Sequence, residues 1–147
     1  MKEIPGGPGK KERGIMLEML RRIPTEGGDI LKVLNAEESS FTGFGEAYFS
    51  IVRHDYTKSW RRHRRAILNL VVPVGEVKFV TTVNGVEFSA FTLSGQDNYG
   101  RLKVPAGTWF AFRGIGLGEN LILCISSISH DPSESQSKDL DSFPYEW

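Results

Sequence analysis

Lys58-Ser59-Trp60-Arg61-Arg62-His63-Arg64-Arg65 runs directly into Ala66-Ile67-Leu68-Asn69-Leu70-Val71-Val72-Pro73-Val74-Gly75, so a basic stretch with one imidazole meets an apolar run of strand length. Side chains on a β-strand alternate between faces. Read as one extended strand, Arg61, His63, Arg65, Ile67 and Asn69 share a face, and Trp60, Arg62, Arg64, Ala66 and Leu68 share the other. The first face is expected to look into a barrel. The second, with Arg62 and Arg64, is expected to be a solvated or dimer-facing surface.

On both sides of this stretch, short apolar segments rich in β-branched and aromatic residues recur at Ile30–Leu34, Glu46–Val52, Glu76–Val83, Val86–Leu93, Arg101–Val104, Thr108–Phe112 and Leu121–Ser127. Turn signals separate them, and Asn84-Gly85 is the strongest hairpin signal, predicting a tight turn there. No helix–strand alternation suggests a parallel sheet. The pattern predicts an all-β single domain, an antiparallel β-barrel or jelly roll. Met16-Leu17-Glu18-Met19-Leu20-Arg21-Arg22 reads equally as a helical turn or an edge strand. The serine-rich stretch from Asp131 to Ser142 reads as a surface loop, after which Phe143-Pro144-Tyr145-Glu146-Trp147 docks back.

Composition narrows the function classes. Lys plus Arg and Asp plus Glu each number 18, so the formal charge is zero and a general nucleic-acid binder is not expected despite the local basic cluster. No apolar run is long enough to cross a bilayer, so no membrane partner is expected. Residues 1–14, rich in Gly, Pro and Lys, read as a flexible tail with no secretory core, leaving 15–147 as the folded domain and a cytoplasmic location as the expectation. Cys124 is the only cysteine, which excludes an intrachain disulfide and a multi-cysteine metal site.

Several segments together resemble the RmlC-like cupins, relatives of dTDP-4-dehydrorhamnose 3,5-epimerase, whose corresponding strand reads Gly-Trp-His-x-His before a hydrophobic run ending in Gly. The resemblance extends, in the same order, through Phe44-Gly45-Glu46-Ala47-Tyr48-Phe49-Ser50, Pro105-Ala106-Gly107-Thr108-Trp109-Phe110, His130-Asp131-Pro132 and Pro144-Tyr145-Glu146-Trp147. It implies a cupin barrel, a homodimer, and a pocket for a nucleotide-linked or other anionic sugar. It also implies where this chain departs. Matching Trp60 to the family's tryptophan puts Arg61 at the position of the base and His63 at the second histidine, and Cys124 falls near the family's proton-donating tyrosine. Arginine keeps its proton, so Arg61 cannot abstract one from carbon. Gly27 stands where relatives often carry an arginine that contacts the nucleotide-sugar. Phe110 replaces a further histidine, and a single imidazole does not make a catalytic metal site, which needs about three protein ligands; neither a metal nor another cofactor is expected.

The ligand-lining residues expected from this reading are Arg61, His63, Arg65, Asn69, Tyr48, Trp109, Phe110 and Cys124. Arg61 with Arg65 forms either an anion clamp for a diphosphate or a core pair satisfied by acidic residues. His63 either contacts the ligand or is a structural histidine, and it is the one imidazole left to serve as a base; an inward carboxylate is the alternative. Tyr48, Trp109 and Phe110 either stack on a ligand or pack the core. Cys124 reads as a small buried residue or a pocket wall. Two functions stay open: a sugar-nucleotide epimerase or isomerase with its usual pair replaced, and a cupin that binds an anionic sugar, or serves regulation or assembly, without turnover.

Overall fold

The computed structural model describes residues 14–147, together with the backbone of two short strands before them. The strands in chain order are β1 (Lys2–Glu3), β2 (Lys10–Glu12), β3 (Ile15–Met19), β4 (Arg22–Ile23), β5 (Ile30–Leu31), β6 (Glu46–Val52) and β7 (Thr57–His63). They continue as β8 (Leu68–Val74), β9 (Glu76–Thr82), β10 (Ser89–Ser94), β11 (Gly100–Val104), β12 (Trp109–Gly114), β13 (Asn120–Ser126) and β14 (Ser135–Ser137). The flexible tail expected over 1–14 falls for the most part outside the described residues. Helix is confined, among the described residues, to two single 3-10 turns, Pro132–Glu134 and Leu140–Ser142.

Two six-stranded sheets face each other, in spatial orders β1-β10-β9-β12-β7-β14 and β2-β3-β11-β8-β13-β6, with β4–β5 as a small separate pair. Among the described residues every strand pairing is antiparallel except β1 with β10, and the isolated bridge between His54 and Gly114 is also parallel. The sheets do not close into one hydrogen-bonded cylinder; the result is a jelly roll, one of the two forms expected. Alternation explains why. On β13, Ile122 and Cys124 are buried between the sheets while Leu121, Leu123 and Ile125 on the other face are only part-buried. The core between the sheets includes Leu68, Leu70, Val77, Phe79, Leu102 and Ile122.

A second apolar layer lies on the outer face of the first sheet. Trp60, Val80, Ala90, Trp109 and Ala111 are covered there by Leu140, Phe143, Tyr145 and Trp147, so the aromatic terminus does dock back. Trp60 is fully buried, and its indole N–H donates to the Leu140 carbonyl at 3.1 Å. Lys78 sits over the Tyr145 and Trp147 rings at 5.1 and 5.9 Å.

The stretch 58–75 is not one strand. β7 ends at His63, residues 64–67 turn a corner, and β8 begins at Leu68 in the opposite sheet. The corner exists because its amides find partners off the ladder: Arg65 and Ala66 donate to Glu134 Oε2 at 3.1 and 3.2 Å, and Ile67 donates to Ser127 Oγ at 2.9 Å. Alternation therefore restarts with Leu68 facing in and Asn69 facing out, where its amide donates to the Ser40 carbonyl at 3.1 Å. This corrects two expectations. Asn69 lies on the outer face, and Arg65 sits at the exposed corner, paired with Asp131 at 3.0 Å.

The hairpin between β9 and β10 also differs from the expected two-residue turn, since residues 83–88 all lie in the connection. The Asn84 side chain accepts from the amides of Val86 and Glu87, each at 2.9 Å, and widens the loop. Gly85 takes a φ of +74°, a region that favours glycine, while its amide donates to Thr82 Oγ1 at 2.8 Å.

On the outer face of the second sheet, segment 32–41 is pinned by a buried cation. Arg101 is 1% exposed, pairs with Glu18 at 2.8 Å and Glu38 at 2.7 Å, and donates to the Val33 carbonyl. Removing one member of a buried ionic group costs about 3–5 kcal/mol. Both glutamates keep some water, so Arg101→Ala is expected at the low end, about 3 kcal/mol in chemical denaturation, with segment 32–41 becoming the first site of limited proteolysis. A loss below about 1 kcal/mol, the range of exposed pairs, would show that the segment is held by packing alone.

Candidate functional site

Between the sheets, the inner faces of β6, β7, β8, β12 and β13 leave a two-lobed cavity. One lobe, about 420 Å³, is lined by Ser50, Tyr56, Lys58, Phe112, Ile122 and Cys124 among others; the second, about 550 Å³, is lined by Glu46, His63, Ser129, His130 and Glu134 among others. Tyr48, Arg61 and Leu68 belong to both walls. The cavity thus joins an aromatic and cationic lobe to one that carries titratable groups.

His63 anchors the second lobe. Its Nδ1 is hydrogen-bonded to Glu134 Oε1, and the ring stacks on Phe110 with centroids 6.3 Å apart. An ionised carboxylate only accepts, so Nδ1 carries the hydrogen, and the lone pair that a neutral ring has left is the one at Nε2. That Nε2 is buried and has no hydrogen-bond partner among the described residues. Burial opposes ionisation of Glu134, yet the hydrogen bonds from His63 and from the Arg65 and Ala66 amides outweigh it and hold the carboxyl below the usual carboxylate range. The arrangement is an oriented imidazole with a free acceptor.

Lys58 and Arg61 supply the charge of the first lobe. Arg61 forms no ion pair among the described residues, so of the two readings of this arginine, the core pair satisfied by acids is not what the structure contains. Lys58 donates to Ser50 Oγ at 2.9 Å and lies 5.8 Å from the Phe112 ring centre. Burial first, and then the neighbouring Arg61 charge, lower its pKa. Opposite them Tyr48 pairs with Cys124 in the register of β6 and β13. Burial pushes the Cys124 thiol up to about 11 and raises the Tyr48 phenol as well.

Of the eight residues expected to line the pocket, Arg61, His63, Tyr48, Phe110 and Cys124 meet in this cavity, while Arg65, Asn69 and Trp109 do not. Trp109 faces the other way, under the Arg62 guanidinium at 4.6 Å. Arg62 also donates to Gln136 at 2.9 Å, so it faces outward as expected. Glu134 is the residue that sequence reading missed, lying in what reads as a polar loop. Asp131-Pro132-Ser133-Glu134 does carry a turn signature, an Asp cap with Pro next, and Asp131 caps the Ser133 amide at 3.0 Å. Among the described residues, no three His, Cys, Asp or Glu cluster as metal ligands do, and no helix is long and apolar enough to cross a membrane.

No family model and no curated protein matches the chain. Solved structures do. A dTDP sugar isomerase from Desulfovibrio desulfuricans is 33% identical with a TM-score of 0.87, covering 92% of this chain and 91% of that one. A mutant of the 3,4-ketoisomerase QdtA from Thermoanaerobacterium thermosaccharolyticum, in complex with TDP-4-keto-6-deoxyglucose, is 17% identical with a TM-score of 0.73, covering 86% and 88%. The epimerase RmlC from Legionella pneumophila, in complex with dTDP-4-keto-L-rhamnose, is 16% identical with a TM-score of 0.73, covering 84% and 71%. The last two share the fold. Identity of 33% across nine-tenths of both chains goes further, and the chain belongs to the RmlC-like cupins, the family of dTDP-sugar isomerases and epimerases.

Proposed function

We propose that the protein is a sugar-nucleotide isomerase that binds a dTDP-linked keto sugar in the two-lobed cavity and uses His63 as its base. The observation that carries this reading is the buried, unpartnered Nε2 of His63, held in position by Glu134. Lys58 and Arg61, which has no ion-pair partner among the described residues, suit the diphosphate, with Tyr56 and Phe112 beside them for the nucleoside and the His63 lobe left for the sugar. The standard 3,5-epimerase pair is absent on this reading, because Arg61 and Cys124 occupy its positions and the base is moved two residues along β7. No cofactor enters the scheme. A homodimer goes with it: Phe49 and Ile51, 62% and 45% exposed, project from the outer face of edge strand β6 with Phe44 beside them. So does a cytoplasmic location, where nucleotide sugars of this class are expected.

The rival reading, binding without turnover, draws on Arg61, which cannot act as a base. Both readings are tested together by thermal shift with dTDP and by NMR of dTDP-4-keto-6-deoxyglucose in deuterated water. Stabilisation by dTDP and deuterium entry beside the ketone are both expected. Stabilisation with no exchange leaves binding alone, and no stabilisation overturns both readings. Arg61→Ala is expected to weaken dTDP about tenfold or more, the loss of one charge-assisted contact of about 1.5–3 kcal/mol. An unchanged affinity would remove the diphosphate from this part of the cavity.

A further inference from the structure

We propose that Lys58, turned into the cavity by a β-bulge beside Arg61, is a carbonyl-reactive amine that holds small phosphate-bearing aldehydes as a covalent imine. Nothing in this depends on turnover at His63. Unbroken alternation along β7 would put Lys58 on the face of Trp60, away from the cavity. The pairing of β12 with β7 shows why it is not there: Phe110 lies opposite Arg61 and Phe112 opposite Lys58, so a step of two residues on β12 spans three on β7. The extra residue turns the strand over. Lys58 thereby joins Arg61 on the cavity wall, while Trp60 stays in the outer layer.

The bulge gathers two cations in a lobe that has no anion of its own. No Asp or Glu lines this lobe among the described residues, and burial keeps both Tyr48 and Cys124 protonated at neutral pH. Glu46 and Glu134 stand on the second lobe, where Glu134 is hydrogen-bonded to His63. Lys58 forms no ion pair among the described residues; it donates to the Ser50 hydroxyl and lies near the Phe112 ring. Burial and then the Arg61 charge make this ammonium give up its proton more readily than an exposed lysine does, and the free amine is a nucleophile. Arg61 stays charged and can grip a phosphate. An amine and an anion grip on one wall define the ligand as an aldehyde that carries a phosphate, of a size to enter about 420 Å³.

The step balances with the aldehyde as its one co-reactant. The Lys58 amine, its proton passed to water, adds to the carbonyl carbon; the C=O π electrons move to oxygen, which takes a proton from the nitrogen to give a carbinolamine. The proton held by water then returns to the hydroxyl, which leaves as water while the nitrogen pair forms the C=N bond. Ammonium and aldehyde have become iminium and one water. The positive charge is kept, so iminium and guanidinium both face the phosphate.

The probe is pyridoxal 5′-phosphate, an aromatic aldehyde with a phosphate, followed by borohydride, which adds hydride to the C=N bond and fixes the product as an amine. Peptide mass spectrometry is expected to find the label at Lys58 in preference to the other lysines. Pyridoxal, which lacks the phosphate, should label Lys58 about tenfold more slowly, the loss of one charge-assisted contact, and so should the phosphate-bearing probe on Arg61→Ala protein. Inorganic pyrophosphate should protect Lys58 and leave the other lysines as they were. A second readout needs no reduction: the imine absorbance that forms with the unmodified protein should be lost in Lys58→Arg, which keeps the charge and lacks the amine. A label spread evenly over the lysines, or a Lys58 label that removal of the phosphate from the probe leaves unchanged, overturns the proposal. If Lys58 is labelled as expected while the protein turns over no keto sugar, the isomerase reading falls and the reactive amine stands.

Discussion

Replacing His63 with asparagine is expected to lower isomerisation by about 10²–10⁴-fold, the usual contribution of a positioned acid–base group, while leaving dTDP binding nearly intact. Asparagine can still donate to Glu134, so the corner at 64–67 keeps its partner, but it has no basic lone pair to offer a C–H bond. Glu134→Gln should lower the rate by a different route. A glutamine that keeps its carbonyl oxygen toward the Arg65 and Ala66 amides turns an N–H toward His63 Nδ1, which forces the imidazole hydrogen onto Nε2 and blocks the acceptor. Both variants should bind dTDP in a thermal shift. His63→Asn protein that isomerises at more than about a tenth of the normal rate would transfer the base role to a carboxylate, with Glu46 the other acid on that wall.

Trp60→Ala should produce the largest loss of stability, about 3–5 kcal/mol, the range for truncating a large aromatic residue in a core. The indole is fully buried and meets Phe143 at 5.1 Å, Phe88 at 6.0 Å and Trp147 at 6.1 Å between ring centres. Its N–H also holds the Leu140 carbonyl, so truncation leaves a cavity and an unpaired acceptor together. The candidate cavity is on the opposite face of the sheet, and activity per folded molecule should persist. Urea denaturation measures the cost. A loss below about 1 kcal/mol would mean that the C-terminal segment contributes little to the fold.

The strands were legible because turn signals separate the apolar runs and because burial on β13 alternates residue by residue. Glu46–Val52 reads correctly to the residue, and β9 and β13 to within one. Arg61 and His63, two apart on one strand, come out on the cavity side as alternation requires. Asn69 does not, because alternation carries information only while the chain stays extended. The corner at 64–67 is specified by Glu134 and Ser127, which lie some 70 and 60 residues away in sequence. For the same reason Glu134 was not legible as a site residue: nothing local distinguishes a carboxylate that will be 6% exposed from its neighbours in a serine-rich loop. Arg65 and Trp109 were misplaced by the same extrapolation of one strand's pattern across a turn or onto the wrong layer.

All three tryptophans of the chain, Trp60, Trp109 and Trp147, lie on the outer face of the first sheet or in the segment that covers it. None lines the ligand cavity. Tryptophan emission of this protein is therefore expected to report the seating of its last eight residues rather than the filling of the cavity. A titration followed by tryptophan emission is expected to change little on nucleotide binding, whereas Tyr48 and Tyr56 line the cavity proposed to hold the ligand.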